Sequence, residues 1–298
     1  MPRLPVQARD TIPNLRWETE DSSRNFVLST ESGDAQPIFS HDGTKPGRPK
    51  EARMTFSIIG HCHHSGNIGV ASTTVSLAVG GLCPFYNAEG DIVISQAYAN
   101  RKLGLETLRL VNAGRSNATI LGEVRALDND FEYRQLAIVR RDGAMICHSG
   151  STCRSWAGHI EGHNCIAFGN ALAGEHVVTA MTEAFAAAAH ESLSERLMRA
   201  LEAGRDAGGQ VATEGLHFDE RSAYLKEYGE DSDPAIAPID LRVDICPQAV
   251  TELRRLFDIF TSVPSYNRLR GTRPDETPAI HQWEAEHLAH NPPPSPFG

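Results

Sequence analysis

From residue 54 onward the chain switches between two hydrophobic rhythms. Short runs rich in β-branched residues read as strands at 55–59, 67–75, 92–97 and 164–168. A hairpin over 134–141 and 144–148 is expected to turn at Asp142-Gly143, and a late strand at 239–243. Between the first two strands lies His61-Cys62-His63-His64-Ser65-Gly66, the length of a hairpin connection. Longer stretches carry apolar residues three and four apart. Leu105, Leu108 and Val111 form one such stripe, closed by Gly114. Ser116 is placed to cap the next helix, with Ile120, Leu121, Val124 and Leu127. Val177, Val178, Met181 and Phe185 mark a helix over 176–189. Ser192 and Glu195 form a capping box before Leu193, Leu197 and Leu201, and Gly204 should end that helix. Pro247 suits the first turn of a last helix carrying Val250, Leu253, Leu256, Phe257 and Phe260.

Outside these rhythms the chain reads differently. Residues 1–53 carry Pro5, Pro13, Pro37, Pro46 and Pro49, a linker-like stretch over 42–50 and only one short strand-like run at 25–29. Residues 205–237 read as irregular and acidic, and from Val263 onward prolines recur. The expected organisation is an irregular extension (1–53), one domain (54–262) and a Pro-rich tail (263–298). Strands come in pairs and helices come in pairs, which points to an α+β fold of hairpin-built sheets covered by helical hairpins.

Composition narrows the function. The net charge of −10 speaks against a sequence-independent nucleic-acid binder and against an anionic membrane surface. There is no apolar run of spanning length and no apolar signal core in residues 1–17, so a cytoplasmic location is the default. The six cysteines lie far apart in a long chain, which fits free thiols better than a disulfide framework. Homo-oligomerisation is compatible with the sequence, which carries no direct signal for it.

Seven blocks, in order, resemble the DUF1028 family: MTFSIIG (54–60), IGVASTTVSLAVGG (68–81), SQAYANRKLG (95–104), EYRQLAIVRRDG (132–143), HSGSTCRSWAGH (148–159), FGNALAG (168–174) and IDLRVDICPQAVTELRRL (239–256). The resemblance implies the fold of the N-terminal nucleophile (Ntn) hydrolases. That is a four-layer αββα sandwich, two antiparallel sheets face to face with helices outside. It further implies hydrolysis of an amide or related acyl bond. Two departures stand out. Family members typically start at the equivalent of Met54, so the prefix is unusual. A basic residue often follows the serine of the second strand, whereas Ser72 is followed by Thr73 and Thr74.

Thr55 is the candidate nucleophile. A threonine hydroxyl needs a base, and its own α-amine can serve if that amine is a free terminus. Here the nitrogen is part of the Met54–Thr55 amide, which is not a base. Exposure would follow from a start at Met54 with that methionine trimmed, or from self-cleavage before Thr55; with the prefix retained the chain would be inactive. Ser72, and Ser57 beside it, could orient the amine or relay a proton, or be ordinary strand hydroxyls. Asn170 could donate to an oxyanion or be a turn residue. Gln96, Asn100 and His148 are candidate substrate-binding groups; helix entry, turn chemistry and a packed histidine are the plainer readings of the three. Arg134 and Gln135 could meet a substrate carboxylate or serve structure. The histidine-rich connection at 61–64 has ligand chemistry but not ligand spacing, so no metal is expected, and without a phosphate-cradling loop no cofactor either.

The sequence therefore points to a hydrolase of a small amide-like substrate, with Thr55 forming an acyl-enzyme. The rival reading is a non-catalytic binding or assembly module on the same fold with its prefix retained. A metal-dependent hydrolase built on His61 to His64 trails both.

Overall fold

The computed structural model describes residues 54–211, 216–229, 239–262 and 264–287. All belong to one unit, Lys50–Gly298. The expected N-terminal extension lies outside the described residues. In chain order the elements are β1 (Thr55–His61), β2 (Ile68–Thr74), a short α1 (Val79–Leu82), β3 (Pro84–Tyr86), β4 (Ile92–Ala97), α2 (Arg101–Asn112), α3 (Asn117–Leu127), β5 (Arg134–Val139) and β6 (Met145–Ser149). There follow β7 (Trp156–Gly162), β8 (Cys165–Leu172), α4 (Glu175–Ala187), α5 (Leu193–Asp206), β9 (Ser222–Tyr228), β10 (Ile239–Val243), α6 (Ala249–Ser262), α7 (Pro264–Thr272) and α8 (Ile280–His287). No helix among the described residues is long and apolar enough to cross a membrane.

Two antiparallel sheets result. One runs β10-β9-β2-β1-β8-β7 and the other β3-β4-β5-β6. Alternation along each strand sorts the side chains into three apolar layers. Phe56, Ile58, Ala71, Ala167 and Leu225 leave one face of the large sheet to meet Val178, Met181, Phe185, Leu197, Leu201 and Leu253 of α4, α5 and α6. The other face sends Ile59, Val70, Ile166 and Phe168 against Ile92, Ile94, Ala137 and Val139 of the small sheet. Val93, Leu136 and Ile138 point outward from the small sheet onto Leu103, Val111, Ile120 and Val124 of α2 and α3. The order is helix, sheet, sheet, helix, as the resemblance implied.

Several local expectations changed. The buried stripe of α2 is Leu103, Leu108, Leu110 and Val111, while Leu105 is 58% exposed. Leu127 likewise faces solvent. Ser116 caps α3 as expected. Ser192 accepts from the Glu195 N–H, but the Glu195 carboxylate turns to Arg199 and Arg254, so the capping box closes on one side only. Gly204 does not end α5. It lies within the helix because a Cβ there would sit 2.8 Å from Met181 Cγ, and the chain turns at Gly208 and Gly209, whose φ values are 106° and 48°.

The segment expected to be irregular contains β9, buried along its whole length between β2 and β10. Its polar side chains hid it. Ser222 Oγ accepts from the Val79 N–H, Lys226 pairs with Asp240, and Glu227 accepts from Asn67. Strands β3 and β7 were also not anticipated. Where a Pro-rich tail was expected from 263, α7 and α8 form; residues 288–298 lie outside the described residues.

Helix α2 rides directly on β3 through Gly104, where a Cβ would fall 2.2 Å from the Phe85 ring. Gly104→Ala should therefore destabilise by about 1–3 kcal/mol through overpacking, despite a better helix propensity. Gly122 in α3 has no neighbour within 4 Å of its would-be Cβ. Gly122→Ala should stabilise by up to about 1 kcal/mol. Urea midpoints of the two variants should move in opposite directions.

Candidate functional site

The space between the sheets is apolar in its middle and polar at one end. The strand register explains why. Thr55 pairs with Thr74 and Ser57 with Ser72 across β1 and β2, and Thr55 also pairs with Asn170 on β8. All five side chains share the inward face that Ile59 and Val70 occupy further along. Opposite them the small sheet contributes Gln96, Gln135 and Ser149, with Gln96 and Gln135 paired directly across β4 and β5.

These side chains form a continuous hydrogen-bonded array. The Nε2 of Gln135 lies 2.6 Å from Gly169 O, 2.9 Å from Ser149 Oγ and 3.2 Å from Gly158 O. Two of those three partners are carbonyls, which only accept, so the orientation of the Gln135 amide is fixed. Its Oε1 must then accept, and it does so from Gln96 Nε2 and Asn170 Nδ2, each at 3.0 Å. That turns Gln96 Oε1 toward Ser57, whose hydroxyl donates to it at 2.6 Å. Ser57 in turn lies 2.5 Å from Ser72 Oγ, which supplies the remaining proton. At the far end Ser149 Oγ meets His159 Nδ1 at 3.0 Å. Gln96 and Gln135 are both buried, and the bonds among Ser72, Ser57, Gln96, Gln135, Asn170 and Gly169 O are sheltered from water, while those to Ser149, Gly158 O and His159 are partly covered.

Thr55 sits at the edge of this array, 4% exposed. Its hydroxyl donates to Thr74 Oγ1 at 3.2 Å, and the Thr74 hydroxyl donates to the carbonyl of Met54. One hydroxyl thus contacts both the candidate nucleophile and the carbonyl of the peptide bond just before it. Asn170 Nδ2 reaches the Thr55 carbonyl at 3.4 Å as well as Gln135. Both its amide hydrogens are engaged, so Asn170 would have to release Thr55 O before serving an oxyanion.

Thr55, Ser72, Asn170 and Gln96 are therefore brought together. Asn100 and His148 are not. Asn100 is the N-cap of α2, accepting from the Lys102 and Leu103 N–H groups at 3.1 and 3.2 Å, and its Nδ2 donates to Asp128. His148 leaves the outer face of the small sheet and stacks on Phe131 with ring centroids 4.2 Å apart. Burial lowers its pKa. Arg134 is engaged by Asp128 at 3.0 Å and by Tyr98 O. Burial alone would raise the Asp128 carboxyl, but hydrogen bonds from Arg134, the Asp130 N–H and Asn100 outweigh it and hold the pKa low. Reasoning from sequence missed Thr74 and Ser149. A pattern was present for Thr74: T-x-S in β1 and S-x-T in β2 are mirror images that antiparallel pairing superimposes.

The histidine-rich connection lies at the other end of β1. His61 and His63 meet edge to face at 4.8 Å, and His163 is 6.4 Å from His63. Among the described residues no group of three or more His, Cys, Asp or Glu side chains is placed to hold a metal ion. Cys62 has a different character. Burial would raise its pKa, but bonds from the Ser65 hydroxyl and the Ser65 and His64 N–H groups, with the Arg196 charge, leave it lowered. Burial pushes the Cys153 and Cys165 thiols up to about 11. Brief alkylation near pH 7 should label Cys62 well before Cys153 or Cys165, as peptide mapping would show.

Residues 55–253 match a family model described as a family of unknown function, DUF1028. The chain belongs to the DUF1028 family. Among solved structures it is similar to protein SPO2555 from Silicibacter pomeroyi, also assigned to DUF1028, with 30% identity and a TM-score of 0.61 over 70% of this chain and 89% of that one. A second similarity is to Anbu, an ancestral β-subunit from Yersinia bercovieri, with 14% identity and a TM-score of 0.34 over 69% of this chain and 96% of that one. No curated protein matches the chain. The DUF1028 match spans every member of the polar array, from Thr55 to Asn170.

Proposed function

We propose that this DUF1028 protein is an Ntn-type hydrolase that cleaves a small amide or related acyl bond, with Thr55 as nucleophile once its amine is a free chain terminus. The observation that carries the reading is the placement of Thr74. Its hydroxyl receives the Thr55 O–H and donates to the carbonyl one bond before Thr55. A substrate carbonyl at that position would lie beside the nucleophile with a donor already aimed at it. The hydroxyls and amides around Thr55 are neutral and are not bases near pH 7. A freed α-amine, with a pKa of about 8, is one.

The chemistry then runs in two halves. The neutral amine takes the Thr55 Oγ1 proton as that oxygen attacks the substrate carbonyl carbon. Thr74 donates to the developing oxyanion. The proton passes to the leaving amine as its bond to carbon breaks, leaving an acyl ester on Thr55. Water, losing a proton to the same amine, attacks the acyl carbon; the bond to Thr55 Oγ1 breaks, the amine returns the proton to Oγ1, and the acid leaves. Ser72, Ser57, Gln96 and Gln135 hold the strands and Asn170 in register. None of the six cysteines is joined in a disulfide, which supports the cytoplasm as the working compartment.

A pH–rate profile tests this. Because the base must be neutral, kcat/KM should rise with pH and level off above about 8. Blocking the α-amine should remove turnover while the fold persists. A pH-independent rate, or full activity with the amine blocked, would refute the mechanism.

The rival reading, a binding or assembly module with its prefix kept, draws on a separate observation. In the continuous chain Met54 and Thr55 are both buried and the Asn170 amide is already spent.

A further inference from the structure

We propose that the position of Met54 is the acyl-side subsite of the enzyme, and that the substrate presents there an unbranched apolar group of about methionine's size next to the carbonyl that Thr55 attacks. The inference rests on the reading of Thr55 as nucleophile and adds the substrate class to it.

Three observations lead here. Met54 is 1% exposed and is one of the largest fully buried side chains of the molecule. Its carbonyl accepts from Thr74, the hydroxyl that also touches Thr55 Oγ1 at 3.2 Å. Finally, Met54 is the acyl group on the Thr55 nitrogen. An acyl group on that nitrogen and one on Oγ1 differ only by a shift through a five-membered ring (N, Cα, Cβ, Oγ1 and the carbonyl carbon). The two therefore share nearly the same surroundings. The continuous chain displays an acyl group already seated: methionyl, with its carbonyl on Thr74 and its thioether chain enclosed. Removing Met54 leaves a space of that shape, and a methionine chain is linear, flexible and apolar.

The surroundings narrow the choice. Met54 is only 1% exposed, so a charged acyl group in its place would have to leave water almost completely. Taking a carboxylate or ammonium out of water is costly, whereas an apolar group gains from the same burial.

Two experiments test the subsite. In the full chain, Met54→Ala should open a methionine-shaped hole. Dimethyl sulfide, which matches the three heavy atoms lost beyond Cβ, should raise the Tm of that variant and leave the parent unchanged. No rescue, or equal effects on both proteins, overturns the subsite. The mature protein isolated from its host should bind N-acetyl-L-methionine at least about tenfold more tightly than N-acetylglycine, and more tightly than N-acetyl-L-aspartate. Equal affinities, or a preference for aspartate, overturn it as well. The nucleophile is read separately, by mass, as an acyl adduct on Thr55 after reaction with the p-nitrophenyl ester of N-acetyl-L-methionine. An adduct without the methionine preference removes the subsite and keeps the hydrolase. A preference without an adduct removes the hydrolase reading, and the acyl role falls with it.

Discussion

Replacing Gln135 with leucine should lower the unfolding free energy by about 3–5 kcal/mol. The side chain touches nothing that reacts, yet it sets the direction of every bond in the buried array. Its Nε2 reaches Gly169 O, Ser149 and Gly158 O, and its Oε1 takes bonds from Gln96 and Asn170. Leucine fills the volume but takes the partner of Gln96 Nε2 and one bond each from Asn170, Ser149, Gly169 O and Gly158 O, at about 1–3 kcal/mol for each buried group left unpaired, before relaxation. Gln135→Glu gives a sharper check. As a neutral acid the new carboxyl can still donate to one carbonyl. As a carboxylate it faces Gly169 O and Gly158 O with no proton to offer. Its folded-state pKa should therefore lie above the unfolded value of about 4.3. The variant should be near parental stability below that pH and lose stability as pH rises through the raised folded value. Urea denaturation of both variants from pH 4 to 8 would show it. A Gln135→Glu protein whose stability did not fall with rising pH would mean that the array is not oriented as described.

Thr55→Ala in the mature protein should lower kcat/KM at least about 10³-fold, a barrier increase of about 4 kcal/mol or more. Stability should change by only about 1 kcal/mol, because a single hydroxyl bond to Thr74 is lost. Thr55→Ser should keep measurable turnover, since the hydroxyl and the amine both remain. Steady-state kinetics beside thermal unfolding separates these effects. An unfolded Thr55→Ala protein would reduce Thr55 to a structural residue. A fully active one would move the nucleophile elsewhere.

How much of this was legible beforehand depends on what each signal reports. The apolar helix stripes and strands β4 and β10 were readable because burial there is carried by hydrophobic side chains. Strand β9 was not, because Ser222, Lys226 and Glu227 are buried through specific partners, which hydropathy does not register. Strand β7 stands at a sheet edge with half-covered side chains, and β3 is three residues long. Gly204 read as a stop because glycine commonly ends helices; the contact with Met181 that requires it there is long-range.

The candidate site shows the same division. Thr55, Ser72, Gln96 and Asn170 came from ordered blocks resembling a family, and strand pairing does place them side by side. Asn100 and His148 came from the same blocks but serve the α2 cap and the Phe131 stack. A block shows that residues travel together, not which face of a strand they leave. His148 and Ser149 are neighbours in sequence, yet only Ser149 points between the sheets.

The most direct test is an intact-mass measurement on the protein isolated from its natural host, before and after brief exposure to an activated acyl ester. The account predicts a mature chain beginning at Thr55 that gains one acyl group, with the modification on Thr55. A protein that still carries Met1 to Met54 and nonetheless hydrolyses an amide, or one that is acylated on another residue, would contradict it.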